Sequence, residues 1–350
     1  MKKLLIPVLG GIFLVFSLYV TLQILIPLPV GNNNVEVEIP KGASFRQVAE
    51  IFSREHLIRD KNLFLMVGRL SRIDRKIRAG FYSVNRPMNL LDLLRVLRNG
   101  QIIEYEITVI EGDSLREVVT KLSDEGIMQE EYFWELVADK DFLASHAIDA
   151  PSLEGYLFPD TYKIPKGMDG KDTLGMMINK LREEYSEVLR TRANEIGMSE
   201  RDVLTLASII EKEAATDEER PFISAVYHNR LRKKILLQAD PTAIYGIKSS
   251  KEKITYEDLK RKTPYNTYVI KGLPPGPISS AGIKSITAAL YPANAQYLYF
   301  VSNNDGTHRF SVTASEHAAA VRAYRQKRQA TDNEEKININ QGGKQNDDAS

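Results

Sequence analysis

A long apolar run at the N-terminus constrains this chain more than any other feature of its sequence. From Leu4 to Val30 almost every residue is apolar, and Lys2 and Lys3 stand just before the run. A helix of about 20 such residues crosses the hydrocarbon core of a bilayer, and the preceding lysines predict a cytoplasmic N-terminus. The run is long for a signal peptide, and no A-x-A cleavage site follows it. We therefore expect residues 1–30 to be an uncleaved, single-pass anchor in the cytoplasmic (inner) membrane, with everything after Gly31 outside the cytoplasm.

Composition excludes several classes of function. Lys and Arg number 47 against 46 Asp and Glu, which gives no general attraction to nucleic acid. The absence of cysteine excludes a disulfide scaffold, a thiolate metal site and a cysteine nucleophile together. The five histidines show no H-E-x-x-H spacing, and the sequence has neither a phosphate-binding glycine motif nor a G-x-S-x-G elbow. We therefore expect no metal and no cofactor.

An internal duplication follows the anchor at a spacing of about 70 residues. Val35–Val48 and Tyr105–Val118 align so that glycine, serine, arginine and valine recur at matching positions. Each copy alternates as a strand, turns at the glycine and offers the serine as a helix N-cap. The predicted order of strand, helix and helix resembles that of a LysM glycan-binding module. Residues 31–104 are interpreted as a LysM-like region and 105–150 as a second copy, and they serve either to dock on polysaccharide or only as a spacer.

A predicted helix beginning at Val203 carries two carboxylates beside its apolar face. At about 100° per residue, Glu213 falls between Leu206 and Ile209 on one flank, and Glu211 falls on the other flank. A carboxyl group beside apolar surface loses hydration of its charged form, which raises its pKa and suits it to general acid catalysis. Two ordinary glutamates in ion pairs fit the same spacing.

Polar and aromatic residues follow this helix among residues that favour loops. The Pro and Gly residues of the run 273–277 predict a rigid, irregular wall. Aromatic faces beside amide, carboxylate and guanidinium groups suit a ligand with apolar ring faces and many hydroxyls, such as a glycan. An ordinary turn over a tyrosine-containing core is the alternative. Asp240 fits either a second catalytic carboxylate or the opening of a turn.

The region 151–328 is expected to be an α+β domain in which helices pack on a small sheet. Thr173–Gly197 predicts one long amphipathic helix, 296–302 and 310–312 predict paired strands, and 314–328 predicts a final helix. The polar segment 329–350 predicts a disordered tail.

Several motifs in this region occur in a characteristic order. They are EGYLFPDTY (Glu154–Tyr162), ASIIEKE (Ala207–Glu213), HNRL (His228–Leu231), LQADPTAIYG (Leu237–Gly246), TPYNTY (Thr263–Tyr268), GLPPGPI (Gly272–Ile278) and YLYFV (Tyr297–Val301). Together with the anchor and the LysM-like region, they resemble the MltG/YceG-like endolytic murein transglycosylases over nearly the whole chain except the tail.

The resemblance implies cleavage of the β-1,4 bond between N-acetylmuramic acid and N-acetylglucosamine in peptidoglycan strands. It makes Glu213 the catalytic acid and base, with the muramoyl C6 hydroxyl closing a 1,6-anhydro ring, so that no water-activating carboxylate is needed. It also implies partners, the peptidoglycan synthases (penicillin-binding proteins), beside which growing strands are terminated. The residues that it assigns to sugars or N-acetyl groups are Asn229, Arg230, Gln238, Asp240, Tyr265 and Asn266.

Two other functions fit the sequence. A non-catalytic scaffold would use the LysM-like repeat to bridge glycan and synthase, and it would have no use for a carboxyl group on an apolar helix face. A hydrolytic muramidase would need Asp240 or Glu211 to activate water.

Overall fold

The computed structural model describes residues 2–28, 35–84, 88–248 and 252–328. Among them helices greatly outnumber short strands, which confirms the predicted mixture of helix and sheet. The predicted disordered tail, 329–350, and most of the spacer after the anchor lie outside the described residues.

The first helix, α1, spans Lys2–Leu25. Its window Val8–Leu25 has a mean hydropathy of 2.2 and no residue buried in the protein, so the predicted apolar helix of membrane length is confirmed. The helix ends before the apolar run does, because Pro27 disfavours helical geometry at the residue that precedes it.

Residue contacts divide the chain into two units, and the first contains Met1–Ile107 together with Lys163–Asp169. After α1 its elements are β1 (Val35–Ile39), α2 (Phe45–Arg54), α3 (Lys61–Leu70), a 3₁₀ turn (Ile73–Arg75), β2 (Gly80–Val84) and α4 (Leu90–Asn99). Strands β1 and β2 pair antiparallel, with Val35 opposite Val84. Phe52, Phe64 and Tyr82 are completely buried in the core beneath them, and each such side chain contributes about 1.5–3 kcal/mol relative to exposure.

The second copy of the duplication repeats this order. Its elements are β3 (Glu104–Thr108), α5 (Leu115–Asp124), α6 (Glu130–Val137), α7 (Lys140–Ser145) and β4 (Thr161–Pro165), and β3 pairs with β4. Ser114 caps α5 in a reciprocal box with Glu117, as Ser44 caps α2 in a box with Gln47. The predicted order of strand, helix and helix is therefore confirmed in both copies, and the N-cap serines are the reason the helices begin where they do.

The second unit contains Thr108–Tyr162 and residues 170–350. Its further elements are α8 (Gly170–Glu184), α9 (Glu187–Glu195), α10 (Glu200–Glu213), α11 (Arg220–Arg232), α12 (Asp240–Ile244), α13 (Tyr256–Lys260), α14 (Ile283–Leu290), β5 (Tyr299–Ser302), β6 (His308–Ser311) and a helix α15 over 314–328. The prediction of one helix over Thr173–Gly197 is wrong. The helix breaks between α8 and α9, where Tyr185 is buried and Ser186 has the extended backbone of an N-cap.

Helix α10 lies at the centre of the second unit. Every residue from Val203 to Ile210 is buried, and the helix packs against α14 and α11. Ser199 and Asp202 form a capping box at its start. Glu213 is the last residue of this helix, three positions beyond its buried part.

Candidate functional site

The two glutamates at the end of α10 have different surroundings. Glu211 Oε1 accepts a hydrogen bond from Arg220 Nη1 at 2.8 Å, and its other oxygen accepts one from the backbone N–H of Gly282 at 3.0 Å. Arg220 also donates to Asp217 at 3.0 Å, and the Glu211 side chain is only 5% exposed. The sequence left two interpretations open for each glutamate, a general acid or an ordinary ion pair. Glu211 fits the ion pair.

Glu213 lies on another side of the helix end, where no basic side chain forms an ion pair with it among the residues that the structure describes. The hydroxyl of Tyr227 on α11 lies 3.3 Å from its Oε1, and the backbone N–H of Asp240 also donates to its carboxyl group. Burial, and after it the negative charge of Asp240, raise the pKa of Glu213 to about 8, while its hydrogen bonds and the charge of Arg230 act in the opposite direction. A carboxyl group in this environment holds a proton at neutral pH.

Glu213 faces a cavity of about 410 Å³. Its walls come from α10, α11, the segment that leads into α12, the strands β5 and β6, and the helix α15. The lining residues are Glu213, Arg230, Leu237, Gln238, Asp240, Tyr268, Phe300, Val301, Ser302, His308, His317, Val321 and Tyr324. Aromatic faces beside a few placed polar groups are typical of a site for a small organic ligand.

The structure brings three of the six predicted binding residues to this cavity. The Arg230 guanidinium donates to the backbone carbonyls of Leu298 and Leu237, both at 2.7 Å, and lies 5.3 Å from the ring centre of Tyr299. Gln238 has a φ of 49°, in the left-handed region that non-glycine residues rarely adopt. Its backbone N–H donates to the carbonyl of Thr267 at 3.1 Å, and this bond holds the unusual conformation.

Asp240 is the third of these residues, and it stands at the start of α12. The hydroxyl of Tyr268 donates to its Oδ1 at 2.5 Å. Because Asp240 and Glu213 line the same cavity, the charge of one carboxylate raises the pKa of the other carboxyl group.

Tyr265 belongs to a different part of the second unit. Its ring centre lies 4.6 Å from that of Tyr245, whose hydroxyl donates to Glu154 at 2.7 Å. Glu154 is 4% exposed, also accepts from the backbone N–H of Leu115 at 3.2 Å, and has a pKa that burial raises to about 7. Glu154 and Tyr245 line a second cavity of about 670 Å³, which does not include Glu213.

Two predicted binding residues are occupied by backbone contacts. The side-chain amide nitrogen of Asn229 donates to the carbonyls of Ala295 and Tyr297, both at 2.9 Å. The same group of Asn266 donates to the carbonyls of Asp258, Leu259 and Arg261 at 3.1, 3.2 and 2.7 Å, and Asn266 is completely buried. Neither residue lines the cavity at Glu213, and the role of both in sugar binding stays a prediction.

Several residues of the site were not among the predicted ones. Tyr227 lies three positions before Arg230 on α11, so helical spacing alone places both on one face. His317, Val321 and Tyr324 follow the same kind of spacing on α15, and that pattern was a detectable signal. Whether this side of α15 faces Glu213 depends on how the helix packs, and the spacing in the sequence does not predict that.

Comparison with known proteins agrees with this architecture. Residues 37–323 match the model of the YceG-like family, and the chain belongs to that family. It is 32% identical over 308 residues to a protein of Bacillus subtilis (strain 168) named endolytic murein transglycosylase, covering 84% of this chain and 85% of that protein. A protein of the same name from Streptococcus pneumoniae serotype 2 is 26% identical over 320 residues, with 82% of this chain and 58% of that protein covered.

A solved structure is also similar. The crystal structure of a yceG-like protein from Listeria monocytogenes is 31% identical in sequence and gives a TM-score of 0.57, with 83% of this chain and 100% of that chain covered. The likeness extends over both units of the chain, because the coverage is larger than either unit alone.

Proposed function

We propose that this chain is an endolytic lytic transglycosylase of peptidoglycan, which cleaves the β-1,4 bond between N-acetylmuramic acid and N-acetylglucosamine and leaves 1,6-anhydro ends. The relatives named endolytic murein transglycosylase support the class of enzyme. The observation that carries the proposal is the position of the Glu213 carboxyl group at the wall of a cavity lined by aromatic and polar side chains, where burial raises its pKa to about 8.

In the first step the Glu213 carboxyl group donates its proton to the glycosidic oxygen. The bond from that oxygen to C1 of the muramoyl residue breaks, and the leaving sugar keeps the proton as its new hydroxyl. A general acid works best when its pKa lies near the working pH, and a value of about 8 keeps most of Glu213 protonated at pH 7.

In the second step the same group, now a carboxylate, accepts the proton of the muramoyl C6 hydroxyl. The C6 oxygen attacks C1 and closes the anhydro ring, which restores the acid for the next cycle. The Tyr227 hydroxyl, 3.3 Å from Glu213, stabilises the carboxylate between the two steps, because a hydrogen bond to the charged form favours that form. No water enters the reaction, so one carboxyl group is sufficient.

The other cavity residues are suited to holding sugars. Arg230 is fixed by its bonds to backbone carbonyls, and a rigid guanidinium is a directional donor to hydroxyl or acetamido oxygens. The rings of Tyr268, Phe300 and Tyr324 line the same cavity and offer flat apolar surfaces to the faces of the sugar rings.

A hydrolytic muramidase is the second candidate, and the position of Asp240 favours it. Asp240 lines the cavity with Glu213, and an acid with a neighbouring carboxylate is the arrangement that activates water in glycoside hydrolysis. Against this, one oxygen of Asp240 is already engaged by Tyr268. The two candidates differ in their products, since the hydrolase leaves reducing ends.

The remaining parts of the chain fit an enzyme of the cell surface. In this proposal α1 anchors the protein in the cytoplasmic membrane, and the chain after Gly31 lies outside the cytoplasm. The LysM-like region, 31–104, docks on glycan. Cleavage beside peptidoglycan synthases then terminates the elongation of nascent strands.

The test is mass spectrometry of purified peptidoglycan digested with the full chain in detergent, beside the variant Glu213→Gln. A matched control is Glu187→Gln on α9, whose side chain is 83% exposed. Anhydro-muramoyl ends from the wild type and the control, absent from Glu213→Gln, are the expected result. Reducing ends would identify a hydrolase instead. Intact glycan from a folded wild-type protein that still binds glycan would favour a scaffold.

A further inference from the structure

The end of the anchor helix is attached to the first unit by three hydrogen bonds. Arg59 donates to the backbone carbonyls of Ile26 and Pro27 at 2.9 and 2.6 Å, and the N–H of Leu28 donates to the carbonyl of Met88 at 3.3 Å. Ile26 and Pro27 directly follow the apolar helix, so Arg59 and Met88 are held where that helix ends. If α1 spans a bilayer, these contacts place this part of the first unit at the bilayer surface.

Apolar side chains lie exposed on the same part of the unit. Leu63 lies in the groove beside Leu28, and Met66 and Leu70 follow it on the same side of α3, within about 10 Å along the helix axis. Met66 is 50% exposed and Leu70 is 78% exposed, which is the largest exposure of any large apolar side chain in the described ranges. Leu91, near the start of α4, is 40% exposed.

The charge of this segment differs from that of the whole chain. Between Arg59 and Gly100 there are ten Lys and Arg residues against three Asp and Glu, whereas the whole chain has a net charge of only +1. Arg69, Arg72 and Arg75 are exposed, and none of them forms an ion pair with a residue of the ranges that the structure describes. A concentration of guanidinium groups without ion pairs in the described ranges, close in sequence to the exposed Met66 and Leu70, is suited to an anionic surface.

We propose that this exit face, consisting of Met66, Arg69, Leu70, Arg72, Arg75 and Leu91, rests on a bilayer that contains anionic phospholipids. The apolar side chains enter the interfacial region, and the guanidinium groups pair with lipid phosphates, to which arginine donates bidentate hydrogen bonds. Attachment to the anchor helix favours a lipid surface over nucleic acid or a soluble acidic protein. The inference rests on the proposed anchor and is independent of the catalytic chemistry.

The absence of native cysteine allows a direct test by single-cysteine labelling of the full chain in nanodiscs. The variants Leu70→Cys and Met66→Cys carry an environment-sensitive fluorophore, and lipids with a nitroxide near the headgroup act as the quencher. Val188→Cys on α9 of the second unit, 70% exposed, is the control site, since it does not belong to the face. Phe13→Cys, within α1, is the control for the anchor.

We expect quenching at positions 66 and 70 at least threefold stronger than at 188 in nanodiscs with 30% phosphatidylglycerol, and weaker quenching in pure phosphatidylcholine. The combined variant Arg69→Glu, Arg72→Glu and Arg75→Glu is expected to reduce the quenching at 70 to the level of 188.

Equal quenching at 70 and 188, with position 13 quenched by nitroxides deep in the bilayer, would overturn the exit face alone. Equal quenching in both lipids would overturn the anionic partner, and an unquenched position 13 would overturn the anchor and the face together.

Discussion

The hydroxyl of Tyr227 and Oε1 of Glu213 lie 3.3 Å apart, between two helices that the sequence separates by the turn 214–219. Tyr227 is 1% exposed, so packing and not solvent determines where its hydroxyl points. The bond lowers the pKa of Glu213, while burial and the charge of Asp240 raise it. The protonation of the proposed acid therefore depends on two named neighbours that act in opposite directions.

Replacement of Tyr227 by phenylalanine is expected to slow cleavage about tenfold, because the loss of one hydrogen bond to a carboxylate costs about 1.5 kcal/mol. The pKa of Glu213 should rise further, and the alkaline limit of activity should move to higher pH. Rates of anhydro-end formation from pH 5 to pH 10 would measure both effects. A slower rate with an unchanged pH profile would assign Tyr227 to packing alone.

Replacement of Asp240 by asparagine is expected to have the opposite effect on the pH profile. The negative charge of Asp240 raises the pKa of Glu213, so its removal should move the alkaline limit to lower pH. We expect the products to remain anhydro ends. If the transglycosylase assignment is wrong and Asp240 activates water, the same variant should lose most of its activity and the wild type should give reducing ends.

The wild-type enzyme is expected to lose activity and stability over different ranges of pH. Since the acid must be protonated, kcat/KM should fall about tenfold per pH unit above pH 8.

The pKa of Glu213 is raised from 4.5 to about 8 in the folded protein, so its contribution to stability is complete below pH 4.5 and is lost as the pH rises through 8. Glu213→Gln should therefore unfold at a higher temperature than the wild type at pH 9, and at a similar temperature at pH 4.5.

The second buried carboxyl group gives an independent test of the same linkage. Burial raises the pKa of Glu154 from 4.5 to about 7, so its contribution to stability is complete below pH 4.5 and is lost as the pH rises through 7. Glu154→Gln should remove this part of the pH dependence of the melting temperature. Tyr245→Phe should increase this pH dependence of the melting temperature, because the Tyr245 hydroxyl stabilises the charged form of Glu154. An unchanged melting curve in both variants would show that Glu154 is hydrated in solution.

The buried pair of Glu211 and Arg220 is expected to support α10 without taking part in catalysis. Removal of one partner of a buried pair leaves an uncompensated charge and costs about 3–5 kcal/mol. Glu211→Gln should lower the free energy of unfolding by such an amount, measured by urea denaturation. The exposed pair of Arg95 and Asp92 is the control, and Arg95→Ala should change that free energy by less than about 0.5 kcal/mol.

The sequence predicted the elements best where local signals were strong. Periodicity located α10, and the repeated glycine and serine located α2 and α5. The break between α8 and α9 was missed, because the apolar spacing continues through Tyr185 and the burial of that ring is a tertiary effect.

The chemistry of individual side chains was less predictable. The helical wheel placed Glu211 and Glu213 on opposite flanks, but their difference arises from Arg220, which comes from the following helix. An asparagine amide bonds equally well to a ligand and to a backbone carbonyl, so residue type alone could not predict the backbone contacts of Asn229 and Asn266. Among the predicted binding residues, Arg230, Gln238 and Asp240 lie around Glu213, and their role in binding stays a prediction.

The first unit is interrupted in sequence, and this has a consequence for how the protein is made. Strand β4 carries the chain back into that unit, where Lys166 pairs with Glu36 at 2.5 Å. A ribosome that adds about 5–20 residues per second needs several seconds more, after Ile107 is complete, to reach Asp169. Throughout that interval the early unit lacks its last segment while the start of the later unit is already emerging. The two units therefore cannot mature strictly one after the other, because the first unit is complete only when the segment through Asp169 has been synthesised.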